Sequence, residues 1–96
     1  MIKHYVLFKL EDNSDQKLEK AKEILMSMKG NFKKVKDIFV GCDFLKSERS
    51  FDISLEVILE NKDELDAYQN DPYHVNVVKK YMHSVAIKSV ALDCML

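Results

Sequence analysis

The segment Tyr68-Gln69-Asn70-Asp71-Pro72-Tyr73-His74 places a phenol and an imidazole on either side of a helix break. Asp71 suits an N-cap, and Pro72 suits the first helical position, where its missing N–H is not needed. His74 then falls at about the third helical position, where free backbone N–H groups carry a partial positive charge. That field disfavours imidazolium and leaves a neutral ring able to take a proton. Such a ring can act as a general base beside a carbonyl, and Tyr68 can orient it or hold a substrate oxygen through its O–H. The plainer alternatives are a helix-start histidine bonded locally and an aromatic at the core edge with a wet hydroxyl.

A second polar intruder is His4, which sits among Ile2, Val6, Phe8 and Leu10 in an alternating opening strand. A histidine on an apolar face needs a hydrogen-bond partner. Asp93 in the last strand is the expected partner, because first and last strands pair in the fold argued below.

Other chemistries find less support. His74 and His83 are nine residues apart, about half a revolution around a regular helix, so they are expected on opposite sides. With no HExxH, no paired cysteines and no carboxylate-rich loop, no metal is expected. Cys42 and Cys94 stand alone in predicted strands and read as reduced core thiols rather than a disulfide or a nucleophile. Two glycines form no phosphate loop.

The elements that must position these residues are legible in the periodicity. A strand is predicted over 2–10. A helix over 15–29 buries Leu18, Ala21, Leu25 and Met28, with Asn13 or Ser14 as cap and Gly30 just past its end. Residues 35–43 read as a strand, in which Gly41 marks a bulge or a close backbone approach. The strand over 50–60 alternates Phe51, Ile53, Leu55, Val57 and Leu59 with Asp52, Ser54, Glu56 and Glu60. A short helix over 62–70 is capped by Asn61 with Glu64 three residues on. A second helix restarts at Asp71-Pro72 and runs to about 82, with Val75, Val78 and Met82 as its apolar stripe. The last strand spans 85–94.

The order β-α-β-β-α-β in 96 residues gives one α+β domain. Its plan is ferredoxin-like, an antiparallel four-stranded sheet with helices on one face. Tyr5, Leu7, Ile38, Val40, Ile58 and either Val90 or Ala91 are then candidates for the uncovered face. A sheet-to-sheet homodimer would bury it. RNA-recognition domains share this strand order, but Asp52, Ser54 and Glu56 on the third strand would repel phosphate. The chain has 15 basic and 16 acidic residues, so no overall field draws it to nucleic acid or to an anionic membrane. The basic run Lys29, Lys33, Lys34 and Lys36 reads as a solvated loop. No signal peptide or membrane span is read, and a cytoplasmic protein is expected.

The residues also resemble a known family. Ile2-Lys3-His4-Tyr5-Val6-Leu7-Phe8-Lys9-Leu10 is similar to the HxVLFK opening of the stress-responsive A/B barrel (Dabb) proteins. Val40-Gly41 resembles their glycine-bearing second strand, and Phe51-Asp52-Ile53-Ser54-Leu55 their third. Leu65-Asp66-Ala67-Tyr68 through Asp71-Pro72-Tyr73-His74-Val75 resembles their L-x-x-Y … P-x-H-x-x-V segment, and Leu92-Asp93 their ending. The resemblance implies a dimeric α+β barrel of two facing ferredoxin-like sheets, with a small pocket in each subunit between sheet and helices. It also implies either a stress-associated module binding a small apolar or carbonyl-containing molecule, or a cofactor-free lyase or cyclase. A plant polyketide (olivetolic acid) cyclase in the family performs an aldol condensation with a His and a Tyr, and His74 and Tyr68 match that pair in type and spacing. His4 and Asp93 match further polar positions of its pocket. Where that cyclase has another His in the third strand this chain has Ile53, and where it has a Tyr in the first long helix this chain has Met26.

Overall fold

A computed structural model describes all residues from 1 to 96. The strands are β1 (Ile2–Leu10), β2 (Asp37–Cys42), β3 (Ile53–Leu59) and β4 (Ala86–Met95). They form a single antiparallel sheet in the order β2-β3-β1-β4, the ferredoxin-like arrangement expected from the element order. Helices α1 (Asp15–Met26), α2 (Met28–Asn31) and α3 (Lys62–Asn70) lie against it, followed by a π-helix (His74–Lys79) and α4 (Lys80–Val85).

The alternation of β1 sends Ile2, His4, Val6 and Leu10 to the helix side, all buried. Ile53, Leu55, Val57 and Leu59 of β3 join them there, with Leu18, Ala21, Leu25 and Met28 from the first helical layer. These four helical residues are the stripe that the spacing predicts. They drive the sheet–helix packing, each large side chain contributing about 1.5–3 kcal/mol by burial.

Several expectations are corrected. The first helix breaks at Ser27, whose Oγ donates to the Ile24 carbonyl at 2.5 Å and accepts from the Tyr73 hydroxyl at 2.7 Å. One further turn follows, so Gly30 lies inside α2 rather than beyond the helix end. Ser14 is the N-cap of α1 but makes no side-chain cap bond. The Asn13 amide instead donates to Asp52 at 3.1 Å. Asp52 is not on the solvent side of a strand. It is 1% exposed, and it accepts the Leu10 N–H at 2.7 Å where β1 ends. That carboxylate takes over a backbone donor that the sheet ladder no longer satisfies.

The uncovered sheet face also differs in one strand. Ile38 is 3% exposed and packs in the core with Val40 beside it, while Phe39 is 51% exposed on the opposite face. In β4, Val90 stands opposite Leu7 and Leu92 opposite Tyr5, so Val90 and not Ala91 shares the open face. Cys42 and Cys94 are exposed free thiols near the ends of β2 and β4 rather than core residues. Gly41 marks a close approach: a Cβ there would meet the Ser54 Oγ at 2.9 Å.

Candidate functional site

Tyr68 lies in the last turn of α3 and His74 opens the π-helix, with the Asp71-Pro72 break between them. Asp71 caps the restart as expected, its Oδ2 accepting the His74 N–H at 3.0 Å and its carbonyl accepting Val75 N–H at 2.9 Å. The break folds the two segments back far enough to stack the rings. The Tyr68 and His74 centroids lie 4.4 Å apart with planes tilted by 34°. His4 of β1 meets Tyr68 edge-on at 5.9 Å, and Phe32 does so from another side at 5.8 Å. Tyr68 is therefore the hub of an aromatic cluster and is fully buried.

The helix after the break is not regular. Hydrogen bonding from i to i+5 over His74–Lys79 widens the turn. Each residue then turns the chain through a smaller angle than in an α-helix. This has two consequences. Val75 is 40% exposed rather than part of the stripe, while Val78 and Met82 remain buried. His74 and His83 also line the same cavity, where a regular helix would have set them on opposite sides. The β-branched run Val75, Val77 and Val78 favours the α-helix only weakly, and nothing in the sequence announced the π turn.

Between this helical segment and strands β1 and β4 lies a cavity of about 600 Å³. It exists because the helices cover β3 and β1 but leave β4 at the sheet edge. The helix-side residues of β4 are those opposite Phe8 and Val6, namely Ser89 and Ala91, and they form one wall. Val6, Phe8 and Leu55 form the floor, and Val78 and Met82 the helical wall. Both His4 and His74 line it. The volume is in the range of small-molecule sites.

Of the four residues singled out from the sequence, His74 and His4 line the cavity. Tyr68 stands directly behind His74 and does not line it. Asp93 also lies outside it, its side chain 45% exposed, and reaches the site through His4, whose Nδ1 lies 2.5 Å from Asp93 Oδ1. The Asp93 carboxylate accepts from the His4 Nδ1–H and fixes the orientation of the ring. Gln69, Lys79 and His83 also line the cavity and had drawn no functional reading from the sequence. No group of three His, Cys, Asp or Glu side chains is placed to hold a metal ion.

Burial lowers the basicity of His74 from the ordinary 6.5 to about 4, helped by the nearby charges of Lys79 and His4 and opposed by Asp71. The neutral ring expected from the sequence is present, but its main cause is desolvation rather than the helix end. Burial also pushes the Tyr68 phenol well above its usual value, so it stays protonated. The Tyr68 hydroxyl and the His74 Nδ1 are both buried without a hydrogen-bond partner. Native interiors rarely leave such atoms unpaired, and each costs about 1–3 kcal/mol.

The fold has many solved counterparts. A dimeric ferredoxin-like protein of unknown function from Thermobifida fusca is 22% identical, with a TM-score of 0.85 over 99% of this chain and 90% of its own. A dimeric protein of unknown function and ferredoxin-like fold from Bacteroides fragilis is 24% identical, with a TM-score of 0.83 over 99% and 95% of the two chains. The hydroxynitrile lyase of Passiflora edulis is 14% identical, with a TM-score of 0.84 over 99% and 92%. No curated protein matches the chain in sequence. Matched by the family model from residue 2 to residue 96, the chain belongs to the stress responsive A/B barrel domain (Dabb) family.

Proposed function

We propose that this protein binds a small, mostly apolar, carbonyl-containing molecule in the cavity between β1, β4 and the helical segment after Pro72. The observation that carries the reading is the pair of buried imidazoles, His4 and His74, set against the apolar walls of a hollow of about 600 Å³. Apolar walls supply affinity, and a few placed polar groups fix orientation. A thermal-shift screen of small carbonyl compounds on wild type and His74→Ala tests it, since a ligand that binds only the native state raises Tm. A hit lost in the variant supports the site. A hit that stabilises both proteins equally places the ligand elsewhere.

A second reading makes the site a cofactor-independent lyase or cyclase of the aldol type. The buried, neutral His74 favours it, as does the shared fold of the Passiflora edulis hydroxynitrile lyase. In this reading a His74 ring nitrogen removes a proton beside the carbonyl, and Tyr68 orients the ring from behind. His4, held by Asp93, faces the same substrate. A base of such low basicity is fully available near neutral pH but takes protons weakly. Turnover then requires that substrate binding raise it.

The same proposal includes a homodimer formed through the open sheet face. Tyr5, Leu7 and Ile58 stand there half-buried with Phe39, Val90 and Leu92 exposed, and the Thermobifida fusca and Bacteroides fragilis counterparts are dimeric.

A further inference from the structure

The fixed charges lining the cavity, on Lys79 and Lys88, are both positive. Lys79, His83 and Lys88 line it together with His4 and His74, and the remaining polar side chains there, Gln69 and Ser89, are neutral. The chain as a whole carries 16 acidic and 15 basic residues, yet no acid lines this cavity. Composition therefore does not explain the bias. Neither Lys79 nor Lys88 is among the lysines held in ion pairs, which are Lys3, Lys34 and Lys36. The π turn adds a geometric argument. Hydrogen bonding from i to i+5 brings residue 79 nearer to the phase of residue 74 than an α-helix would, and both line the cavity.

From this one-signed lining we infer that the cavity takes an amphiphilic anion, with its apolar body against Val6, Leu55, Val78 and Met82 and its carboxylate held by Lys79 and His83 at the rim. The inference rests on the cavity being a ligand site and names the class of ligand. An ammonium with no acidic partner, at the mouth of an apolar cavity, is free to pair with a carboxylate. The anion also changes the chemistry behind it. The groups facing His74 are Lys79 on its own segment, Asp71 at its cap, Tyr68 from α3 and His4 from β1. A carboxylate that neutralises Lys79 removes one of the charges that hold His74 low. Binding and basicity are thereby coupled: the apo ring is a poor base, and the loaded site has a better one.

Octanoate and its uncharged counterpart octanamide test this. Each is titrated into the full chain at pH 7.5, with the side-chain nitrogens of His4, His74 and His83 followed by long-range proton–nitrogen spectra. Octanoate is expected to perturb His74 and His4 and to bind about tenfold more tightly than octanamide. The preference is expected to shrink with added salt and to fall to about twofold or less in Lys79→Gln. Lys79 is exposed, so that variant leaves the core intact. His74 is also expected to titrate higher with octanoate bound than with octanamide bound. Equal affinity for the two probes overturns the anion inference while leaving the cavity reading in place. Octanoate binding that ignores Lys79→Gln, or that leaves His74 unmoved, overturns it as well. If neither probe perturbs His4 or His74, both readings fall.

Discussion

Two atoms at the centre of this molecule are chemically unsettled: the Tyr68 hydroxyl and the His74 Nδ1 are buried without partners. Tyr68→Phe removes an unsatisfied donor at little change of shape. Its unfolding free energy is expected to be unchanged or up to about 1 kcal/mol higher by urea denaturation. A loss above about 1 kcal/mol would mean that the hydroxyl is in fact bonded. His74 sets a pH dependence. Unfolded, it titrates near 6.5; folded, near 4, so between these values only the unfolded chain takes up the proton. Its contribution is complete above about pH 6.5 and declines as pH falls towards 4, by roughly 3 kcal/mol in all. His74→Gln is expected to flatten the urea-midpoint profile across that window, and an unchanged slope there would locate the effect in another group. Both residues were visible in the sequence from residue type and from the Asp71-Pro72 break. Their unpaired state was not, because it depends on what α3, β1 and Phe32 exclude from the space around them.

At the scale of the elements, local signals did well where the chain obeys them. The β1 alternation, the α1 stripe, the Asn61 cap of α3 and the Asp71 cap after it all appear as the spacing requires. Asp71→Ala removes the acceptor for the His74 N–H and is expected to cost about 1 kcal/mol by the same denaturation measurement, with no loss implying that the restart is fixed by Pro72 alone. The departures have tertiary causes. Ser27 breaks the first helix by bonding both its own turn and Tyr73, a partner 46 residues away that no local pattern can reveal. The π turn shifts the phase of everything after His74, which is why His83 and Lys79 joined the cavity unannounced. Asp52 reads as the polar half of an alternating strand, yet it serves the end of β1 from a buried position.

For the whole molecule, element order alone was enough for the ferredoxin-like sheet, because few topologies satisfy β-α-β-β-α-β with short connections. The cavity was not legible, since it arises from how far the helices extend across the sheet and from the edge position of β4. The face opposite the helices is the one on which the proposed dimer rests. Leu92 is 64% exposed there, opposite Tyr5. The wild type is expected to sediment at twice the chain mass and Leu92→Glu at the mass of one chain, and a wild-type monomer would end the dimer. At the centre of the molecule stands a neutral imidazole, His74, that Tyr68 stacks against and the cavity receives. The most direct test is the titration of His74 in the native protein by side-chain nitrogen NMR. A midpoint near 4 with slow response to solvent is the expected result. An ordinary midpoint near 6.5, the behaviour of a ring turned to open water, would contradict it.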